Sequence, residues 1–403
     1  MIMKSLVSII TATSIMLSAA PFAAAADDAA KESFYLEYSV IGNEACITGC
    51  KGNSDPLVIP DSIDGFTVTS IAENAFEGNS DLHSCVIPDS VKIIGAKAFR
   101  ACPQLSEISI GSGVSDIGEY AFTACPELSN INVDKENNIY SNIKGCLFKN
   151  GDTLLIYAGS KAAVIPDETI LIGKGAFFGK SDISSITFPK NVEFIDDHAF
   201  SGCLSLKSID IPDSVKALGN GCFMSCNALQ SVTLGSSLTS VPDNCFHSCS
   251  SLKNLSFSDS IISIGSSAFY SCPSLSGIYI PPTVKIISTD AIGKRYDIRS
   301  DSSENIADFA ITGEIDSAAE VYAKAQGMAF TIKSFSKGDV SGDSRVDSVD
   351  ASAILKEYSL ISSGKNGTFT EQQSIAADWN GDDHIDSVDA SAILAKYAEL
   401  QTL

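Results

Sequence analysis

Residues 87–110 read IPDSVKIIGAKAFRACPQLSEISI, and residues 211–234 read IPDSVKALGNGCFMSCNALQSVTL. In each stretch a small residue precedes an aromatic anchor, which is Phe99 in the first and Phe223 in the second. This anchor recurs along the chain at an interval of 23 residues wherever the spacing is regular. A fixed period of this length predicts a stacked array, because each coil needs its neighbour to bury its apolar face. The anchors are Phe76, Phe99, Phe122, Phe177, Phe200, Phe223, Phe246 and Phe269, with Ile292 as a weaker last copy.

The coil from residue 200 to residue 222 shows how one repeat is expected to fold. Leu206, Ile209 and Ile211 form an L-x-x-I-x-I pattern, which is typical of a short strand whose apolar residues alternate inward. Val215 and Leu218 are expected to face the same interior. We therefore predict a repeat solenoid with one short parallel β-strand per 23-residue coil, at a spacing of about 4.8 Å.

One gap interrupts the period, between Phe122 and Phe177. Within it, the segment KNGD at residues 149–152 separates two apolar runs, and Asn-Gly between such runs is a strong signal for a β-hairpin. We interpret the extra residues, near 134–165, as a hairpin insertion and not as a second domain.

Half of the 12 cysteines fall three residues after an anchor phenylalanine, which predicts a column of small, buried thiols. Pairing between adjacent coils is geometrically conceivable, but we expect no disulfide framework. Cys46 and Cys50 would be about 13 Å apart in an extended segment, which is too far for a disulfide. The CFHSC segment at residues 245–249 resembles a metal cluster, but the repeat frame explains both of its cysteines.

The outward strand positions form the natural binding face of such a solenoid. They lack both an aromatic run for sugar stacking and a pair of converging carboxylates for glycoside hydrolysis, so we predict no catalytic residue. A solvated structural face and a shallow protein- or glycan-binding surface both remain open. The central outward residues are Val86, Ser109, Asn132, Thr187, Asp210, Thr233, Ser256 and Tyr279.

Charge and the first residues bear on partners and location. The 27 basic against 49 acidic residues give a net charge of −22, which would repel a phosphate backbone, so nucleic acid is not an expected partner. Residues 1–26 combine Lys4, an apolar run and a small-residue cleavage site, which predicts a signal peptide and a secreted protein. No later run of about 18 apolar residues exists, so no transmembrane segment is expected in the mature chain.

Two segments near the carboxyl end, 339–350 and 378–389, place oxygen-bearing side chains at loop positions 1, 3, 5, 9 and 12. Calcium takes six to eight oxygen ligands, and this spacing is that of an EF-hand loop, in which position 7 donates its backbone carbonyl. The duplication, 39 residues apart, makes chance a poor explanation.

Each loop is followed by the same segment, DSVDASAIL, at 347–355 and 386–394. Ile354, Leu355 and Tyr358, matched in the second copy, predict an apolar stripe through which two helices pack on each other. Between them, Thr370 and Gln373 have the spacing of a capping box for a short middle helix.

The repeats, over roughly residues 57–294, resemble the leucine-rich repeats of BspA-like bacterial surface proteins. Residues 309–330 are similar to the closing segment of that family, in which a strand and a short helix cap the last coil. The resemblance implies a solenoid over residues 27–335 with an N-terminal cap and a C-terminal cap at 309–335.

The tail, residues 338–403, resembles a type I dockerin of the ruminococcal cellulosome type, a small α-helical domain with duplicated calcium loops. The resemblance implies two calcium ions and, as partner, the cohesin module of a scaffoldin. The implied calcium ligands are Asp339, Ser341, Asp343, Arg345, Asp347 and Asp350 in the first loop, and Asp378, Asn380, Asp382, His384, Asp386 and Asp389 in the second. The implied cohesin contacts are Ser348, Val349, Leu355, Lys356, Ser387, Val388, Leu394 and Ala395.

Two positions depart from the common dockerin pattern. Loop position 6, commonly glycine, is Ser344 or Asp383, and a Ser-Val pair replaces the Ser-Thr pair of many clostridial members. We expect a non-catalytic cellulosome component whose solenoid presents a surface to a protein or glycan ligand, attached extracellularly through its dockerin. The alternatives are a polysaccharide-degrading enzyme and a cell-surface adhesin.

Overall fold

The computed structural model describes residues 34–52, 55–159, 161–333, 335–342 and 345–400. The predicted signal peptide lies outside these ranges. Contacts divide the chain into two units, one formed by residues up to Ile311 with Asp316–Ala329 and the other by Thr312–Ile315 with the residues from Phe330 onward.

The first unit is a solenoid, and each regular coil contributes two short strands where the sequence predicts one. The strands of the front column are Leu57–Val58, Ser84–Ile87, Glu107–Ile110, Asn130–Val133, Ala162–Val164, Ser185–Thr187, Ser208–Asp210, Ser231–Thr233, Asn254–Ser256 and Gly277–Tyr279. The strands of the rear column are Phe66–Ile71, Ile93–Ile94, Asp116–Ile117, Thr153–Ile156, Leu171–Ile172, Phe194–Ile195, Ala217–Leu218, Ser240–Val241, Ser263–Ile264 and Ile286–Ile287. Strands of neighbouring regular coils pair in parallel, and each residue pairs with the residue at the same repeat position in the next coil.

The front column confirms the predicted inward and outward positions. Asp210 is paired with Thr233, and Thr233 with Ser256, all facing outward. Ile209 and Ile211 are 2% and 3% exposed, so the alternation that the sequence predicts places both in the interior. The outward residues therefore share one face of the solenoid.

The phenylalanine anchors form a continuous stack inside the regular coils. The ring of Phe223 lies 5.2 Å from that of Phe200 and 5.4 Å from that of Phe246, with nearly parallel planes. The backbone follows the same repeat, because the N–H of Phe223 donates to the carbonyl of Cys245 at 2.8 Å. Each coil is thus covered by the next through both rings and backbone.

The thiol column is confirmed as buried, and its members have a common partner. The thiol of Cys226 donates to the carbonyl of Phe200 in the preceding coil at 3.3 Å, and that of Cys249 donates to Phe223 at 3.2 Å. Burial raises the pKa of Cys226 to about 12. The same thiol-to-carbonyl bond joins coils at Cys102, Cys125, Cys203 and Cys272.

The insertion differs from the two-stranded hairpin that the sequence predicts. Its strands Tyr140–Ile143, Cys146–Lys149 and Thr153–Ile156 form an antiparallel three-stranded meander, with the predicted turn between the last two. Tyr157 then takes the role of an anchor, since its ring stacks on Phe177 at 4.5 Å. The following strand, Ala162–Val164, already belongs to the front column, so the insertion contains a shortened coil.

Both ends of the solenoid are covered. Strands Tyr35–Ile41 and Glu44–Lys51 form an antiparallel hairpin over the first coil, and Ser62–Ile63 pairs with the first rear strand. At the other end, helix α1 (Ala318–Gln326) places the Tyr322 hydroxyl within 3.0 Å of both the N–H and the carbonyl of Ile292. The remaining strands there are Lys294–Asp297, Ser302–Asn305, Ala310–Gly313 and Ala329–Ile332.

The second unit contains helices α2 (Ser348–Ser362), α3 (Glu371–Ala377) and α4 (Ser387–Leu400). The predicted capping box at Thr370 and Gln373 is confirmed at the start of α3. The predicted apolar stripe is only partly buried. Ile354 and Ile393 are fully buried, but Leu355, Tyr358 and Leu394 are exposed.

Replacing Phe223 with alanine tests the anchor stack. Because the ring is fully buried and contacts rings on both sides, we expect Phe223→Ala to lower the free energy of unfolding by about 3–5 kcal/mol. Phe194→Ala is the matched control, since that ring is 41% exposed on the rear column, and its expected loss is about 1 kcal/mol or less. Urea unfolding of both variants makes the measurement, and equal losses would contradict the stack.

Thiol titration tests the burial of the cysteines. Ten of the 12 cysteines are buried, and Cys46 and Cys50 in the N-terminal hairpin are half-buried. Because the thiolate is the reactive form and needs access to the reagent, we expect at most these two to react rapidly with Ellman's reagent in the native protein. All 12 should react after denaturation. Rapid reaction of further thiols under native conditions would show that the column is open.

Candidate functional site

The first predicted ligand of each loop is held by backbone N–H groups. Oδ1 of Asp339 accepts from the N–H of Gly342 at 2.6 Å. The two oxygens of Asp378 accept from Gly381 at 2.6 Å and from Asp383 at 2.9 Å. Such bonds shape the start of each loop around a carboxylate, as an EF-hand loop requires.

The last ligand position of each loop, Asp350 or Asp389, is a fully buried carboxylate. Asp350 accepts from the N–H groups of Ser341 at 2.8 Å and Asp347 at 3.0 Å. Asp389 accepts from the N–H of Trp379 at 2.9 Å, among others. Within the described ranges, no basic side chain forms an ion pair with either. A buried carboxylate without a counter-charge is costly, so both positions favour a bound cation.

The middle of the second loop turns through a left-handed residue. Asp383, at position 6, has φ of 63°, the conformation for which glycine is the common choice there. Around it, Asn380 accepts from the N–H of Asp382, and Asp382 accepts from the N–H of His384, both at 2.9 Å. In the first loop, Asp343 and Ser344 lie outside the described residues.

The position-9 aspartates begin the helices that follow the loops. Asp347 is the N-cap of α2 and accepts from the N–H of Val349 at 2.7 Å. Asp386 makes the same bond to Val388 at 2.6 Å. The position-7 side chains, of Arg345 and His384, are exposed.

Those predicted ligands that the structure describes are neighbours in each loop, but their side chains do not converge. In the ranges that the structure describes, no three His, Cys, Asp or Glu side chains form a group able to hold a metal ion. Their oxygens accept from backbone N–H groups instead. The donor set still fits calcium, because it consists of hard oxygens and includes two buried carboxylates without a counter-charge.

All eight predicted cohesin contacts lie on the surface of the second unit. Val349 and Val388 are 58% and 55% exposed, and Leu355 and Leu394 are 43% and 42% exposed. The two halves therefore present nearly equal apolar positions. The remaining predicted contacts, Ser348, Lys356, Ser387 and Ala395, are exposed beside them.

One feature of the second unit breaks the symmetry of its halves and was not predicted. Glu357 of α2 is only 2% exposed, and its carboxylate accepts from the N–H and hydroxyl of Thr368 and from the N–H of Phe369. The equivalent residue in α4 is Lys396, which is exposed. Burial raises the pKa of Glu357, but these hydrogen bonds outweigh it and leave the pKa below its usual value. Glu357 thereby fastens the segment before α3 onto α2.

The solenoid candidates occupy structural positions. Cys245 and Cys249 are buried, and the thiol of Cys249 bonds to a backbone carbonyl. His247 between them is half-buried and stacks on Tyr270 at 5.3 Å. The outward face carries Asp210 and Tyr279 among mostly small polar side chains, as the sequence indicates.

Glutamine at residue 357 tests the clamp. Because the amide lacks the charge that hydrogen bonds from three donors stabilise, we expect Glu357→Gln to lower the free energy of unfolding of the second unit by about 1–3 kcal/mol at pH 7. The pKa of Glu357 is lower in the folded state, so this contribution is present above the unfolded pKa, about 4.3, and is lost as the pH falls through the folded pKa.

Emission of Trp379, the single tryptophan, reports unfolding of this unit in urea. Lys396→Gln is the control at the equivalent position of the other half, and it should leave the midpoint unchanged. The difference in free energy of unfolding between wild type and Glu357→Gln should shrink as the solution is acidified. A difference that stays constant would contradict the stabilising role of the Glu357 carboxylate.

The comparisons with known proteins match both units. The model of the BspA type leucine rich repeat region matches residues 46–168 and 170–299, in 6 copies. The model of the dockerin type I domain matches residues 337–397. No curated protein matches the chain. Among the described residues, no helix is long and apolar enough to cross a membrane.

Several solved structures are similar to the solenoid. A leucine rich cell surface protein from Faecalibacterium prausnitzii A2-165 is 22% identical, with a TM-score of 0.32, and the match covers 66% of this chain and 94% of that one. A leucine-rich repeat protein from Eubacterium ventriosum ATCC 27560 is 18% identical, with a TM-score of 0.43. This match covers 62% of this chain and 90% of that one. One from Bacteroides ovatus ATCC 8483 is 22% identical, with a TM-score of 0.36, and covers 74% and 98%.

Both matched regions are non-catalytic modules. Type I dockerins bind calcium and dock onto cohesins, and leucine-rich repeats provide surfaces for protein interaction. The coils of the solenoid and the duplicated loops of the tail lie within the two matched regions. The chain therefore belongs to the family of BspA-type leucine-rich repeat proteins and carries a type I dockerin domain.

Proposed function

We propose that this protein is a secreted, non-catalytic component of a cellulosome, exposed at the cell surface through its scaffoldin. In this proposal, residues 338–403 bind a cohesin when calcium is present, while the solenoid of residues 27–335 holds a protein or glycan ligand. The observation that carries the proposal is the pair of buried carboxylates, Asp350 and Asp389, each in the first turn of a helix with exposed apolar side chains. Metal occupancy and the docking surface are therefore built on the same short segments.

The loops supply the calcium ligands in this proposal, one ion for each loop. Asp339 and Asp350 would bind at the two ends of the first loop, and Asp378 and Asp389 at the ends of the second. The other ligands would be Ser341, Asp343, the carbonyl of Arg345 and Asp347, and in the second loop Asn380, Asp382, the carbonyl of His384 and Asp386. Bound calcium supplies the positive charge that four carboxylates in each loop lack.

Neutralising the loops couples metal binding to the order of the docking surface. Asp347 and Asp386 are at once predicted ligands and residues that accept from the first N–H groups of α2 and α4. A loop that closes around an ion would fix the start of each helix. The exposed side chains one or two residues later, including Val349 and Val388, would then be held in place for a partner.

The near equality of the halves leads to a further part of the proposal. Val349 with Leu355 and Val388 with Leu394 are two copies of one surface, with similar exposure. Either copy could lead in docking, the domain turning by about 180° between the two modes, as a pseudo-twofold surface allows.

The alternatives place the activity in the solenoid. An enzyme that degrades polysaccharide would need two carboxylates on facing positions, whereas Asp210 is the one acidic residue among the eight central outward positions. A surface adhesin would use the same outward face without cohesin. Release of reducing sugar by the protein would favour the enzyme, and failure to bind any cohesin would favour the adhesin.

Capture of the full chain by immobilised cohesins tests docking, with calcium or with chelator. The first-half variant carries Val349→Lys and Leu355→Lys, the second-half variant carries Val388→Lys and Leu394→Lys, and a third carries all four. We expect calcium-dependent capture by at least one cohesin, with less than about a tenfold loss in either half variant, since the intact half still docks. Capture should be lost in the fourfold variant.

Ile375→Ser is the control for this experiment, because Ile375 is 62% exposed on α3, a helix that carries none of the proposed contacts. Its capture should equal that of wild type. Capture that is abolished by one half variant alone would contradict the two-way docking, and equal capture in chelator would contradict the role of calcium.

A further inference from the structure

The backbone ladder between coils opens at one place in the solenoid. In a regular coil, the N–H groups of the anchor and of the residue two before it donate to the next coil, as Phe99 does to Ala121 at 2.8 Å and Lys97 to Glu119 at 3.0 Å. Within the described residues, the equivalent N–H groups of Tyr120 and Phe122 have no hydrogen-bond partner. Two backbone donors are thus available on one wall.

Tyr157 is the cause of this opening. Its N–H donates at 3.0 Å to the carbonyl of Ala176, which the spacing of the repeat would otherwise pair with Phe122. Its ring stacks on Phe177, so it extends the anchor stack of the following coils. The ladder closes again two residues after Phe122, where the N–H of Ala124 donates to the carbonyl of Phe178 at 3.2 Å.

A cavity of about 380 Å³ lies in this opening, between the coil of Phe122 and the meander of the insertion. Its volume falls within the range of small-molecule sites, about 300–1,000 Å³. Much of its lining is apolar, including Ile117, Leu147, Leu155 and Phe178. The cavity can therefore hold the body of a small apolar ligand.

Three lysines line the cavity, and two of them already have partners for their ammonium groups. Lys174 is engaged, because its ammonium lies 2.6 Å from the carboxylate of Glu119. Lys180 is engaged as well, since its ammonium donates to the carbonyls of Cys125, Pro126 and Leu128 at 2.9 to 3.4 Å.

Lys149 is different. It also lines the cavity, and no carboxylate among the described residues lies within ion-pair distance of it. A positive charge without an ion-pair partner, in a cavity also lined by the residues of two unpaired backbone N–H groups, favours an anionic group. Glu119 and Asp196 line the same cavity, and their charges disfavour a doubly charged group such as phosphate.

We propose that this cavity binds a small monocarboxylate with an apolar, ring-sized body. Lys149 pairs with the carboxylate, whose oxygens also accept from the N–H groups of Tyr120 and Phe122. The body of the ligand packs against Leu147 and Leu155. This site is separate from the outward face and from the dockerin loops, so it does not depend on the function proposed above.

Binding of 3-phenylpropionate to the full chain tests the proposal, by ligand-observed saturation-transfer NMR and titration. We expect saturable binding with a dissociation constant of about 1 mM or lower. The matched probes are 3-phenylpropan-1-ol, which lacks the carboxylate, and acetate and inorganic phosphate, which lack the body. Each should bind at least about fivefold more weakly.

Three variants locate the site. Lys149→Gln removes the charge and should weaken the binding of 3-phenylpropionate by at least about fivefold. Leu155→Trp should abolish this binding by filling the cavity. Lys253→Gln, at an exposed lysine of another coil, should bind as wild type does. Circular dichroism and the melting temperature show whether each variant is folded. If Leu155→Trp does not fold, Lys149→Gln alone tests the site.

Two results would overturn the proposal. One is the absence of saturable binding to the wild type at up to about 10 mM. The other is binding that persists unchanged in Lys149→Gln, or that is as strong for the alcohol as for the acid.

Discussion

The solenoid depends on one constraint, which is that the apolar floor of every coil must be covered by its neighbour. A coil of 23 residues is too short to bury its own anchor, so stability comes from contacts between coils. The phenylalanine stack, the thiol-to-carbonyl bonds and the backbone ladder all act across that same boundary. At the last coil Tyr322 of α1 takes over, closing on the backbone of Ile292. At the insertion Tyr157 and the buried ammonium of Lys180 replace the regular contacts.

The dockerin unit is stabilised less by apolar packing than the solenoid is, because its apolar core is small. Among the residues of this unit that the structure describes, seven apolar side chains form the buried core and four of them are alanines, so burial alone offers limited stabilisation. Its buried polar groups are carboxylates, including Asp350 and Asp389, and these favour the folded state only when their charge is compensated. The proposed binding of calcium would therefore be coupled to the folding of this unit, whereas the solenoid is stabilised by packing. Glu357 differs in its place, since it lies outside both loops and its hydrogen bonds join α2 to the segment before α3.

The sequence predicted the features that repeat and missed those that occur once. The 23-residue period identified the coils, their inward positions and the thiol column, because every copy repeats the same physical requirement. Tyr157 escaped notice because its coil is 20 residues long and its anchor is a different aromatic residue. Glu357 was missed since duplication suggests symmetry, and the partners it clamps lie 11 and 12 residues away, in a segment without periodicity. The apolar stripe was overestimated at Leu355, which a helical pattern alone does not distinguish from a core residue.

In the proposed function, calcium bound by the carboxylates of the tail orders the docking surface. Trp379 is the only tryptophan, lies in the second loop and donates its backbone N–H to Asp389. A calcium titration of the full chain, followed by its emission, is the most direct measurement. We expect a saturable change in emission, with a midpoint below about 1 mM calcium, that chelator reverses. An emission spectrum that stays constant up to several millimolar calcium would contradict it.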